Sequence, residues 1–237
     1  MQHLKAGAQK LGIDLNPTQL EQFSIYYDEL IEWNKKINLT SITDPVEAQL
    51  KHFLDSLSLF PALKQPFDGC SFIDIGSGGG FPGLPLKIAF PAIDMVLLEA
   101  TNKKAAFLRH VTRQLGLDNV EVLCQRAEAA AHKPQYRQSF DYALCRAVSS
   151  LTSLAELALP FCAIGGRFIT LKKGDIADEV DKAAKATETM GGGQTEVKKV
   201  ELEKLPDERY LVIIDKIAPT PDKYPRRPGM PTTRPIL

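Results

Sequence analysis

The segment 72–83, FIDIGSGGGFPG, sets one acid, Asp74, near the end of an apolar run and then packs five glycines into eight residues. Glycine lets backbone approach a ligand closely and take positive φ without a side-chain penalty. Two cofactor-binding registers overlap here. Gly78-x-Gly80-x-x-Gly83 matches the dinucleotide fingerprint, whereas Asp74-x-Gly76-x-Gly78-x-Gly80 matches the loop that holds S-adenosylmethionine. Charge separates them. A dinucleotide brings a pyrophosphate to the loop, and a carboxylate beside it is repulsive. S-adenosylmethionine brings an ammonium and a sulfonium, both suited by Asp74. The dinucleotide register also requires an apolar strand running into Gly78, but Asp74, Gly76 and Ser77 occupy that stretch. S-adenosylmethionine is therefore the better fit. A dinucleotide-dependent oxidoreductase is the alternative, and a glycine-rich turn without ligand is the plainest one.

A second acid, Glu99, closes the apolar run MVLLEA, 23 residues after Gly76. An acid at the end of a second strand can accept hydrogen bonds from a ribose diol. Alone, Glu99 reads equally well as an acid at a helix N-terminus. With the glycine loop, the ribose role is favoured.

These residues need elements to position them. Asn16-Pro17-Thr18-Gln19 starts a helix, with Asn16 as cap and Pro17 in the first turn. Leu20, Phe23, Tyr27, Leu30, Ile31 and Ile37 follow at helical spacing, and Val46, Leu50, Phe53, Leu54 and Leu57 form a second such pattern. The first 65 residues thus read as a helical extension. From Ser71 the chain alternates. Strands are expected at 70–75, 94–100, 120–127, 142–148, 166–174, 195–205 and 209–217. Helices are expected at 81–90, 101–116, 149–161 and 175–190, the second capped by Thr101 and stopped at Gly116, the last ended by Gly191-Gly192-Gly193. The run 209–217 is nearly all apolar and so central. Such alternation predicts a mostly parallel sheet covered on both faces, with ligand at the carboxyl ends of its strands. The tail 218–237 holds six prolines and four basic residues, which excludes helix or central strand. The expected division is 1–65 helical extension, 66–217 core, and 218–237 tail.

Composition narrows the rest. At 44% hydrophobic and 24% charged, the 237 residues are ordinary for a globular α/β protein. No run approaches membrane-span length, and the N-terminus lacks a signal-type apolar core. The four cysteines are widely spaced, without a CxxC, and read as buried free thiols of a cytoplasmic protein rather than a metal site. Formal net charge is zero, so a nucleic-acid partner must meet a local patch. No long apolar helix face is left over, which makes a monomer the expectation.

Eight stretches together resemble one family: WNKKINLTSI (33–42), HFLDSL (52–57), DIGSGGGFPGLPLKI (74–88), LLEATNKKAAFL (97–108), QRAE (125–128), CRAVSSL (145–151), GGRFITLKKG (165–174) and YPRRPGMPTTRPI (224–236). They resemble the bacterial small-subunit ribosomal RNA methyltransferases that make 7-methylguanosine, also called glucose-inhibited division protein B. The first two stretches lie outside any generic methyltransferase core, which makes the match specific. The family often has aspartate where Glu99 stands, valine where Ala127 stands and serine where Cys145 stands.

The resemblance implies a Rossmann-like class I fold with a seven-stranded sheet, S-adenosylmethionine as cofactor, and 16S ribosomal RNA or a small ribosomal subunit, assembled or precursor, as substrate. Beside Asp74 and Gly78, it implies cofactor contacts at Gly76, Phe81, Glu99, Ala100, Thr101, Ala127, Glu128 and Arg146. Plainer alternatives are a helix cap for Glu128, an ion pair with Asp74 or Glu128 for Arg146, and a local pair for His52 with Asp55. The seven-position nitrogen of guanine has a free lone pair and no proton, so no general base is required. Arg146 and Lys172 are expected to orient substrate or cofactor. Candidate RNA contacts are Lys172, Lys173, Lys223, Arg226, Arg227 and Arg234, the last four in a tail expected to lie against the active-site mouth. On that view, deleting 224–237 weakens RNA binding and spares cofactor affinity. Lys103, Lys104, Arg109 and Arg113 read as a solvated helix face. Rival functions are methylation of another RNA, a protein or a small molecule, and a non-enzymatic cofactor-binding or scaffold role.

Overall fold

The computed structural model describes residues 1–146, 149–200 and 208–237. The N-terminal helices are α1 (Gln2–Lys10), α2 (Pro17–Asn34) and α3 (Pro45–Ala48), the last passing through a wider π-type turn (Gln49–Leu54) into α4 (Asp55–Leu57). At the start of α2, Asn16 and Gln19 form a reciprocal capping box with Pro17 in the first turn, as the sequence requires. Alternation then runs β1 (Ser71–Ile75), α5 (Gly83–Ala89), β2 (Asp94–Glu99), α6 (Asn102–Gln114), β3 (Val120–Cys124), α7 (Ala127–Ala130), β4 (Phe140–Cys145), α8 (Leu151–Ala158), β5 (Cys162–Lys173), α9 (Ala177–Thr189), β6 (Gly192–Val200) and β7 (Arg209–Lys216).

The strands form one sheet in the order β3-β2-β1-β4-β5-β7-β6. The first five are parallel, and β7 and β6 join antiparallel. The order reverses between β1 and β4, and a ligand crevice is expected at the carboxyl ends of strands at such a point. β7 lies between β5 and β6, so its apolar run is central as expected. Side chains alternate across the pleat. Phe72, Leu97, Leu144, Ile169 and Ile213 face a core shared with α1, α2, α5 and α6. Ile73, Leu98, Ala143, Phe168 and Ile214 face the other, with α8 and α9. The N-terminal helices thus form, with α5 and α6, one of the two layers that cover the sheet.

Several details depart from expectation. Gly191 (φ +80°) ends α9, but Gly192 already opens β6. Thr101 stands at the N-cap of α6 without a side-chain capping bond. Residues 147–148 of one expected strand and 201–205 of another lie outside the described residues. The tail carries a turn of helix, α10 (Met230–Thr233), which its prolines were expected to exclude. Pro231 sits in that first turn, where the missing N–H costs nothing. All four cysteines are free, but only Cys145 and Cys162 are buried; Cys70 and Cys124 are half-buried.

Candidate active site

β1 ends in the glycine loop. Gly76, Gly78 and Gly80 all take positive φ (+73°, +56° and +96°). A Cβ at Gly76 would meet nothing within 4 Å, so this backbone faces open space. At Gly80 a Cβ would lie 2.5 Å from both Leu84 Cδ1 and Tyr26 Oη, so there the glycine serves packing. The loop is held from three sides. Tyr26 Oη in α2 donates to Gly79 O at 2.5 Å. Glu99 Oε2, at the end of β2, accepts from Gly78 N at 3.0 Å, and its Oε1 accepts from Thr101 N at 2.7 Å. Asp74 Oδ2 accepts from Gly83 N at 3.0 Å. Asp74 is fully buried, and burial pushes its carboxyl up to about 7 against the Gly83 N–H that favours ionisation.

These residues fit a cationic nucleoside cofactor. Among the described residues, Asp74 Oδ1 at the end of β1 and Gln125 Oε1 just past β3 are buried acceptors without a partner. Buried acceptors are rarely left so, and both stand on the edge where the loop opens. Glu99 keeps lone pairs beyond the two it uses, enough for a diol. Ala100 and Thr101 are exposed beside it, and Ala127 starts α7. Glu128 does not cap α7: its Oε1 accepts from Gly229 N of the tail at 2.8 Å.

Beyond the loop, over β4 and β5, opens a cleft of about 610 Å³. Lys51, Arg146, Lys172, Lys173 and Arg209 line it with the carboxylates Asp55 and Glu179, His52, Ile42, Ser149, Ser150 and Leu171. Arg146 pairs with neither Asp74 nor Glu128. Its guanidinium donates to the carbonyls of Lys51 and His52 and to Asp55 Oδ2, at 3.2–3.3 Å, and stacks 4.7 Å over the Phe81 ring. Asp55 also receives Arg209 Nε at 2.9 Å. His52 and Asp55 are therefore joined through Arg146 rather than to each other. Arg146 cannot accept a hydrogen bond, so its 3.2 Å contact to His52 Nδ1 makes that nitrogen the acceptor. Nε2–H then donates to Thr40 Oγ1 at 2.7 Å. Burial, with the Arg146 charge second, lowers the His52 pKa to about 3, so the ring is neutral. Phe81 lies between His52, at a ring-centroid distance of 4.5 Å, and Tyr26, at 5.4 Å. It links the loop to the cleft.

Lys172 Nζ donates to Ser149 O at 2.6 Å and Glu179 Oε1 at 2.7 Å. Lys173 is exposed on the cleft rim. The tail's cations are not alike. Arg226 is taken up by Glu156, buried in α8, through bonds of 2.6–3.1 Å. Lys223, over the ring of Tyr224, and Arg227 and Arg234 are exposed. Tyr26, Asp55, Glu179 and Arg209 carry the site's geometry but no local sequence signal. Only HFLDSL, with Asp55 three residues after His52, hinted at one of them.

The family described as rRNA small subunit methyltransferase G matches residues 19–210. A Dehalococcoides mccartyi protein named Ribosomal RNA small subunit methyltransferase G is 53% identical over 237 residues, the whole of both chains. A Roseiflexus castenholzii protein of the same name is 46% identical, again over the whole of both. Among solved structures, geranyl diphosphate methyltransferase in complex with GPP and sinefungin superposes with a TM-score of 0.55 at 14% identity, covering 85% of this chain and 100% of that one. TrmN from Thermus thermophilus gives 0.52 at 20% identity, covering 78% and 52%. At such identities these likenesses speak for the Rossmann-like methyltransferase fold alone. The matches across the full length decide the rest, and the chain belongs to the rRNA small subunit methyltransferase G family.

Proposed function

We propose that this chain transfers a methyl group from S-adenosylmethionine to the seven-position nitrogen of a guanine in small-subunit ribosomal RNA. The observation that carries the reading is the junction of the two halves of the site. The Asp74–Gly80 loop, with its orphaned acceptor, opens directly beside a cleft with five cations and two carboxylates. In a chain of zero formal net charge, that cleft is a local field for a polyanion.

Bound S-adenosylmethionine supplies a methyl group on a cationic sulfur. The residues that would hold it are Asp74, Gly76, Gly78, Glu99 and the segment after β3. The attacking nitrogen carries no proton, so the protein needs no base, and a neutral His52 fits that chemistry. What remains is alignment and exclusion of water. Arg146, clamped by Asp55 and His52 and stacked on Phe81, supports this by fixing the wall between loop and cleft. The RNA would follow the cleft cations and the exposed Lys223, Arg227 and Arg234.

The test is incubation of the protein with labelled S-adenosylmethionine and small ribosomal subunits or their RNA, followed by nucleoside mass spectrometry and mapping of the methyl group. Label in 7-methylguanosine at one position is the expected result. Label in protein, in another nucleoside, or nowhere would overturn the proposal.

A further inference from the structure

Lys172 and Glu179 stand together on the cleft wall away from the cofactor loop, and one of Glu179's carboxylate oxygens is left over. Oε1 takes both of the residue's hydrogen bonds, from Lys172 Nζ at 2.7 Å and from Leu151 N at 2.7 Å. Oε2 takes none among the described residues, while the side chain is 30% exposed and lines the cleft. The plain role of Glu179, an acid in the first turn of α9 that also ties down the first residue of α8, is fulfilled by Oε1 alone. Lys172 has a matching surplus. Two of its three N–H donors go to Ser149 O and Glu179, and one remains among the described residues. The pair therefore offers one donor and, next to it, one anionic acceptor.

We infer that Lys172 and Glu179 read the Watson–Crick edge of the target base, which runs from O6 beside the reacting nitrogen to N1–H and N2–H, and so select guanine. The inference rests on the proposed N7 chemistry. With N7 turned toward the glycine loop on β1, the base lies over β4, and its far edge reaches β5 and α9. One inter-strand step is about 4.8 Å, comparable to the width of a purine. Guanine presents there, in order away from N7, the O6 acceptor and the N1–H and N2–H donors. Lys172 is on β5, two strands from the loop strand β1, and Glu179 is on α9, which packs against α8 and the more distant β6, so in this pose donor meets acceptor and acceptor meets donor. Adenine reverses both: its 6-amino group would meet the ammonium, and its N1 lone pair would meet the carboxylate. A site built on such pairs rejects the wrong base because its own polar groups are then left unpaired.

The test uses small-subunit RNA ligated with either guanosine or inosine at the mapped position. Inosine keeps N7, O6 and N1–H but lacks the 2-amino group. Wild-type kcat/KM is expected to fall at least about tenfold on inosine, as for loss of one hydrogen bond to a charged group. In Glu179→Gln, the donors Lys172 and Leu151 fix the amide oxygen in the Oε1 place and turn the NH₂ toward guanine. Its kcat/KM on guanosine should fall roughly a hundredfold, and its penalty for inosine should shrink below about twofold. Cofactor affinity should stay at the wild-type value. Glu179→Asp, which keeps the charge but withdraws the acceptor, should shrink the penalty in the same way. An equal inosine penalty in wild type and variants, or none in wild type, overturns the assignment. If wild type fails to methylate N7 of guanosine at all, it is the proposed reaction that falls.

Discussion

At the scale of single residues, Asp74 is the most informative group. Burial holds its carboxyl up at about 7, so folding favours its protonated form. The sign follows. The stability it contributes is full below the ordinary carboxylate range and is lost as pH rises toward about 7. A cationic ligand at the loop reverses the preference, because it favours the ionised carboxylate. Affinity for S-adenosylmethionine is therefore expected to rise with pH up to neutrality, by roughly tenfold per unit, and then level off. Binding near pH 6 should release about one proton, and binding above pH 8 almost none. Calorimetry in buffers of different ionisation enthalpy reads this directly. Asp74→Asn should bind more weakly and show no pH slope; a slope that survives the substitution would assign the proton to another group.

At the scale of elements, the N-terminal helices position the site. Gln19 Nε2 donates to Ile88 O and Ala89 O at the end of α5, and Gln22 Nε2 donates to Leu115 O after α6. Tyr26 pins the glycine loop itself. Tyr26→Phe removes a buried donor from Gly79 O, which costs about 1–3 kcal/mol. We expect a loss of several degrees in Tm and about a tenfold rise in the cofactor Kd. Unchanged affinity in a destabilised variant would mean that the loop holds its shape without Tyr26. The sequence made α2 plain through Asn16, Pro17 and Gln19, because caps and periodicity are local. It also placed Asp74 and Glu99, because a strand followed by glycines, or by a helix start, is a local pattern. It did not show that Tyr26 reaches a loop 53 residues away, or that Asp55 and Arg209, 154 apart, share an ion pair. The first depends on α2 packing over the loop that follows β1, the second on β7 entering the sheet antiparallel beside β5, and no spacing encodes either. The pairing of Arg226 was hidden for the same reason. Its partner Glu156 is buried by α8, and in the sequence it is one more acid on a helix.

At the scale of the whole molecule, the tail is a strap rather than an appended arm. Arg137 donates to the carbonyls of Thr220, Pro221 and Tyr224 at 2.9–3.2 Å, His132 Nε2 to Pro225 O at 2.8 Å, and Ser153 Oγ to Pro231 O at 2.9 Å. Arg226 neutralises Glu156, which is 1% exposed, and Gly229 N satisfies Glu128. Deleting 224–237 would strand a buried carboxylate, at a cost of roughly 3–5 kcal/mol. In a chain of this size that lowers Tm on the order of 10 °C. The simple expectation of weakened RNA binding with cofactor affinity spared does not suit this geometry, since Glu128 loses its partner too. The exposed cations can be tested without cutting the strap. In Lys223→Ala/Arg227→Ala/Arg234→Ala, Tm and cofactor affinity should hold. RNA affinity should fall, and the slope of log K against log salt should flatten by about 0.7 for each phosphate no longer neutralised. If the triple variant binds RNA with an unchanged slope, the tail serves the fold alone, and the phosphates are met by the cleft.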